Sequence, residues 1–135
     1  MSAIAAAVTP VVMVSANAIL ISAISSKHQA MSDRLRALAA EWRSSGVSGT
    51  RRDSIRAQVR LFTLRIAWIA RAHFLLYVAT ACFLAMVMAI ALKIEWLSLP
   101  LLLGGVLLML AAIVLELVEL RKAHATIELE GRDVT

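Results

Sequence analysis

Glu116 and Glu119, three residues apart, close an apolar run that begins at Trp96. Acids at the end of such a run can hold a cation, relay a proton or anchor an ion pair. An acid facing lipid is expensive, and these lie near water rather than at the bilayer centre, which favours the ion pair. The cations nearest in depth are Arg71, Arg121 and Lys122, so an interfacial ion pair of Glu116 and Glu119 with Arg71 and Arg121 is expected. The other reactive side chains carry less. His28, His73 and His124 are scattered rather than spaced as ligands, and they read as interfacial packing. Cys82 is the only cysteine; it sits mid-span and reads as a small packing residue. With no glycine-rich phosphate loop, no Ser/His/Asp order and no His/Cys cluster at metal spacing, the chain is expected to be no enzyme and to carry no metal or cofactor.

The elements that position these residues are membrane helices. A 61% hydrophobic chain of 135 residues, with a mean hydropathy of +0.82, exceeds the apolar share of a soluble domain. Three runs stay uncharged for about the 20 helical residues that cross a hydrocarbon core. They predict transmembrane helices over 1–26, 74–92 and 96–118, followed by a tail, 119–135. Between Lys27 and His73 there are ten Lys or Arg against three acids, whereas the link between the second and third spans offers only Lys93 and Glu95. By the positive-inside rule, 27–73 and the carboxyl tail are cytoplasmic and the amino terminus is outside. Trp68 and Trp96, near the predicted boundaries, suit interfacial anchoring.

The cytoplasmic segment keeps a helical period. Met31, Leu35, Leu38 and Trp42 recur at spacings of four, three and four; Ile55, Val59, Phe62, Ile66 and Ile69 follow the same rule. Between them "SSGVSGT" predicts a turn over 44–50, with Thr50 as the next N-cap. The fold expected is therefore all-α: three transmembrane helices, the first two extended into a cytoplasmic antiparallel helical hairpin, a coiled coil. The tip carries Arg51, Arg52, Arg56 and Arg60, read either as a solvated face or as a basic surface for a protein partner or a neighbouring subunit. Lys27, Arg65 and Arg71 lie close enough to the bilayer to meet anionic lipid. Nothing points to nucleic acid. Ala81, Ala85 and Ala89, with Gly104, Gly105, Ala111 and Ala112, predict close packing of the second span on the third. Pro100 is placed in about the first turn of that third helix, where its missing N–H costs little.

The first span, "TPVVMVSANAILISAISS", is unusually polar. On a period of 3.5 it divides into two stripes. One runs through Pro10, Val14, Asn17, Ile21, Ile24, His28, Met31, Leu35, Leu38 and Trp42 into the hairpin seam, and should face the second helix. Asn17, a buried polar group near the midplane, must then find a partner. The other runs through Val8, Val11, Ser15, Ala18, Ser22, Ser25, Gln29 and Ser32 and is free to face something else. Three spans cannot enclose a cavity alone, and a hydroxylated stripe is wasted on lipid, so self-association around the first helix follows. Two functions fit a homo-oligomer: a channel with this stripe lining its axis, or a structural or accessory membrane protein in which the stripe only packs, while the basic hairpin engages a protein partner or anionic lipid.

The succession "TPVVMVSANAILISAISSKHQAMSDRLRAL", an Arg-rich helix entering an apolar span, and "LELVELR" closing the third span resembles the bacterial domain-of-unknown-function 2721 family of small integral membrane proteins. The more specific parts are Pro10, Ser15-Ala16-Asn17, Asp33-Arg34-Leu35-Arg36 and Glu119-Leu120-Arg121. The resemblance runs from about Ile4 to Arg121. It implies an inner-membrane protein of this topology and brings no catalytic residues, since the family's activity is not established.

Overall fold

The computed structural model describes residues 3–44, 46 and 48–132, with side chains for 8–44, 46 and 48–121. Three helices make up the described chain: α1, Ala3–Arg43; α2, Gly49–Ala91; and α3, Glu95–Arg132. At about 1.5 Å per residue, the 43 residues of α2 run some 60 Å, twice a hydrocarbon core. All three are long and apolar enough to cross a membrane. None breaks where its apolar stretch ends: α1 continues past Lys27, α2 is already helical at its Arg-rich start, and the expected tail after Val118 is more α3, helical to Arg132.

Both connections are short. α1 gives way after Arg43, where Ser44 returns its hydroxyl and N–H to the Glu41 carbonyl. The N-cap of α2 is Ser48, two residues before the expected Thr50, and its carbonyl accepts the Arg52 N–H at 3.0 Å. At the other end, the Lys93 N–H reaches the Ile90 carbonyl and the Ile94 N–H reaches the Ala89 carbonyl, the paired bonds of a Schellman motif. That motif needs a left-handed residue, and Lys93, at φ 60, takes the place glycine usually fills. Pro100 is the sixth residue of α3, at the start of its second turn, and Pro10 lies inside α1.

Seven-residue spacing organises the packing. On α1 the buried positions are Pro10, Asn17, Ile24, Met31 and Leu38, each seven from the next. On α2, Ile55, Ile69, Leu76 and Phe83 are buried and Phe62 partly so, again in sevens. The Asn17 amide meets the Leu76 carbonyl, and the His73 ring meets the Ile21 carbonyl at 3.2 Å. α1 and α2 are thus antiparallel, with Asn17 opposite Leu76, Ile24 opposite Ile69 and Leu38 opposite Ile55. The stripe that begins at Pro10 faces α2 throughout its length.

The packing of α2 on α3 has a different basis from the one expected. Ala81 and Ala85 are exposed; of that ridge only Ala89 is buried. Instead, Ala72, Ala79 and Met86, again in sevens, share the α3 side with Phe83. Among the described residues, the buried ones of α3 are Gly105, Ala112 and Glu119, in sevens as well. A Cβ built on Gly105 would lie 2.5 Å from Phe83 Cε1, so the absent side chain is what admits the ring. A small residue does permit close approach, but of a phenyl ring rather than of a second small residue.

Candidate functional site

The polar centre of the molecule lies where the apolar stretches end and joins all three helices. Lys27 Nζ, from α1, donates to Glu116 Oε2 at 3.0 Å and to Glu119 Oε2 at 2.5 Å, both on α3. Arg65 Nε, from α2, donates to Glu119 Oε1 at 2.6 Å. Glu119 is 4% exposed, while Lys27 and Arg65 keep about a third of their side chains in contact with the surroundings. Two cations and two carboxylates neutralise one another, which is what a buried cluster requires to be tolerated. Among the described residues, every hydrogen bond joining α1 directly to α3 starts from Lys27. The buried Glu116 Oε1 has no hydrogen-bond partner.

The expected ion pair is thereby corrected in its cations. Glu116 and Glu119 meet Lys27 and Arg65, not Arg71 and Arg121. Helical rotation explains the choice. Arg65 stands seven residues before Ala72 and fourteen before Ala79, on the α3 side of α2, whereas Arg71 is one residue off that row and turned by about 100°. The Arg71 guanidinium lies 5.5 Å from the centroid of the Trp68 ring instead. Arg121 is exposed, and the side chains of Lys122 and His124 lie outside the described residues. The signal for Glu119 was available in its seven-residue spacing from Ala112 and Gly105. Nothing comparable marked Lys27, the first charge after an uncharged run. Lys27 and Arg65 are both engaged with acids.

One level deeper, Asn17 is fully buried. Its Nδ2 donates to the Leu76 carbonyl at 2.7 Å and to Thr80 Oγ1 at 2.6 Å, while Oδ1 has no partner. The Thr80 hydroxyl itself donates to Leu76 O. This one amide ties the mid-span of α1 to α2. The His28 and His73 ring centres are 6.4 Å apart, and the Tyr77 ring centre lies 5.7 Å from that of His73. No three His, Cys, Asp or Glu among the described residues stand close enough to hold a metal.

The second α1 stripe turns away from the bundle. Ser15, Ala18, Ser22 and Gln29 are exposed and Ser25 is half-buried. The Ser15 hydroxyl donates back to the Val11 carbonyl and that of Ser26 to Ser22 O, so these two hydroxyls are satisfied within their own helix. At the hairpin tip the arginines are partly spoken for. Arg51 makes a two-pronged pair with Glu41, at 2.8 and 3.0 Å, and the guanidinium groups of Arg52 and Arg56 lie 5.9 and 5.7 Å from the Trp42 ring centre. Arg60 is exposed.

Hydrogen bonding from Arg51 holds the Glu41 carboxyl below its ordinary value of 4.5. A depressed acid favours the folded tip only while ionised. The contribution is complete above that ordinary value and is lost as the pH falls through the lowered one. Amide exchange at Ser44 and Arg52 should therefore be faster in Glu41→Gln than in the parent at neutral pH, with the difference vanishing in acid.

This geometry defines a three-span helical membrane protein closed by an ion cluster at one edge of its apolar zone. The chain belongs to the DUF2721 family, described as a protein of unknown function, which its residues 7–129 match. No curated protein and no solved structure matches it.

Proposed function

We propose that the protein is a homo-oligomeric membrane component whose copies meet through the outward face of α1. The observation that carries this is a contrast between outward faces. That of α3 carries a long row of large aliphatic side chains, with Leu99, Leu103, Leu107, Leu110, Val114 and Leu117 all more than half exposed. Such a surface suits acyl chains. From Ser15 to Ser26 the outward face of α1 holds Ser15, Ala18, Ser22, Ala23 and Ser26, with Ile19 the one large side chain among them, while Val8, Val11 and Val12 are exposed on the turns before it. Small residues gain from a close helix neighbour and offer lipid little. The Ser15 and Ser26 hydroxyls are satisfied within their own helix and need no water to enter such a contact, which favours a packing role, structural or accessory, over a conduit.

A pore along a shared axis is the second reading. It is favoured by the polar groove lined by His28, Gln29, Ser32, Asp33 and Arg36, which continues the stripe beyond the apolar zone. Ser22→Leu separates the two. In a packing seam it should dissociate or rearrange the oligomer seen by light scattering in detergent. In a pore it should leave the oligomer intact and abolish ion flux in liposomes. A wild-type monomer would end both readings.

The same proposal places the protein in the bacterial inner membrane, with the hairpin as a cytoplasmic coiled coil, the amino terminus outside and the carboxyl end in the cytoplasm, on the strength of the charge bias. With Cys82 replaced, a cysteine at Gly46 should then be shielded from impermeant thiol reagents in intact cells, and one at Ser98 should react. The exposed Arg52, Arg56 and Arg60 would present a basic tip to an acidic protein partner.

A further inference from the structure

We infer that Arg71 and Trp68 form a site for the headgroup of an anionic phospholipid, on a face of α2 turned away from α1. Three observations converge on it.

The first is depth. The Arg65–Glu119 bond and the Phe83–Gly105 contact set the register of α2 against α3. In that register Trp68 lies level with Glu116 and Leu117. From Trp96 to that level α3 runs some 20 residues, about 30 Å, which is the thickness of a hydrocarbon core. Trp68 and Trp96 therefore mark the two boundaries, as interfacial tryptophans do. Arg71 stands one turn inside the Trp68 boundary.

The second is direction. Helix side chains lean toward the amino-terminal end, and for α2 that end is the hairpin. Arg71 accordingly runs back toward the boundary, and its guanidinium lies over the Trp68 ring. This is the posture of a cation reaching from an apolar depth to the headgroups.

The third is charge. Lys27 and Arg65, the other cations at this level on α1 and α2, are neutralised by Glu116 and Glu119. Arg71 is exposed, and no carboxylate among the described residues lies within ion-pairing distance of it. A guanidinium held over an indole keeps N–H groups with which to bind a phosphate. Directly below, Phe74 is 67% exposed, a surface for the acyl chain of the same lipid. The ligand so defined has a phosphodiester and an acyl chain and carries net negative charge. A zwitterionic lipid brings its own ammonium to the phosphate and gains less.

The test uses the full chain with Trp42→Phe and Trp96→Phe, leaving Trp68 as the fluorophore, in liposomes of phosphatidylcholine. Phosphatidylglycerol or phosphatidylcholine with brominated acyl chains is added as quencher. Brominated phosphatidylglycerol should quench as though enriched about fivefold around Trp68, the ratio that one near-surface charge supplies. Arg71→Gln should bring the two lipids to parity while quenching by phosphatidylcholine stays unchanged, which shows that the variant is still inserted. Arg71→Lys should keep most of the preference, and Arg36→Gln, far up the hairpin, should keep all of it. Equal quenching in the parent, or a preference that survives Arg71→Gln, overturns the assignment. So does quenching by neither lipid, which would mean that another protein surface covers this face. The outcome does not depend on whether α1 mediates self-association.

Discussion

Glu119→Gln is expected to be among the most destabilising single substitutions in the chain, at about 3 kcal/mol, the lower range for breaking a buried ion pair because Lys27 and Arg65 both retain some exposure. The amide keeps the size of the side chain but removes the charge that faces both cations. Glu116, which contacts Lys27 but makes no bond to Arg65, cannot replace it. The change should appear as a lower midpoint of unfolding in mixed detergent. Lys27→Met leaves the opposite excess, two carboxylates facing Arg65 alone. Combining the two restores neutrality, so the double variant should lose less than the sum of the singles, by roughly 1–3 kcal/mol of coupling. Additive losses would mean that Lys27 and Glu119 are each solvated on their own and that the cluster does not hold α1 to α3.

How far this centre was legible follows from the periods of the helices. Pro10, Asn17, Ile24, Met31 and Leu38 repeat in sevens through a span and on into a charged hairpin, and one continuous stripe of that kind has one consistent partner, the matching row on α2. The burial of Asn17 is a consequence of that row. α2 is harder to read because it carries two rows. One, through Ile55, Ile69 and Leu76, is apolar and visible; the other, through Arg65, Ala72 and Ala79, begins with an arginine and continues in alanines, which mark no face by hydropathy. Depth alone therefore favoured Arg71 for the acids. The choice between Arg65 and Arg71 is a rotation of the helix, available only once Glu119 is placed in sevens with Gly105 and Ala112. The Ala81, Ala85, Ala89 ridge misled for a related reason. Small spacing shows where a backbone can be approached, and it does not say which partner approaches. The hydroxyls of α1 sit on the outward face, where the inward row leaves them.

Gly105→Ala should separate α2 from α3 at mid-span. The added methyl would lie 2.5 Å from Phe83 Cε1, with the ring's neighbouring atoms at 2.9 Å, and Phe83 is itself fully buried, so the ring has nowhere to turn without moving a helix. Overpacking of this kind costs about 1–3 kcal/mol. Phe83→Ala errs in the other direction, leaving a ring-sized void over the glycine notch and costing about 3–5 kcal/mol. Because the two residues share one volume, their effects should not add. The methyl introduced by Gly105→Ala would occupy part of the void left by the ring, so that substitution should be nearly neutral, or slightly stabilising, when introduced into Phe83→Ala. Gly104→Ala provides the control, since a Cβ there meets nothing within 4 Å and should change the unfolding midpoint little in either background. If Gly105→Ala cost the same with and without the Phe83 ring, the contact between α2 and α3 would have to rest on other residues. If instead the penalty depends on the ring, this notch fixes the register that brings Glu119 opposite Arg65, and loss of the notch should weaken the ion cluster about 20 Å away along the same helix pair.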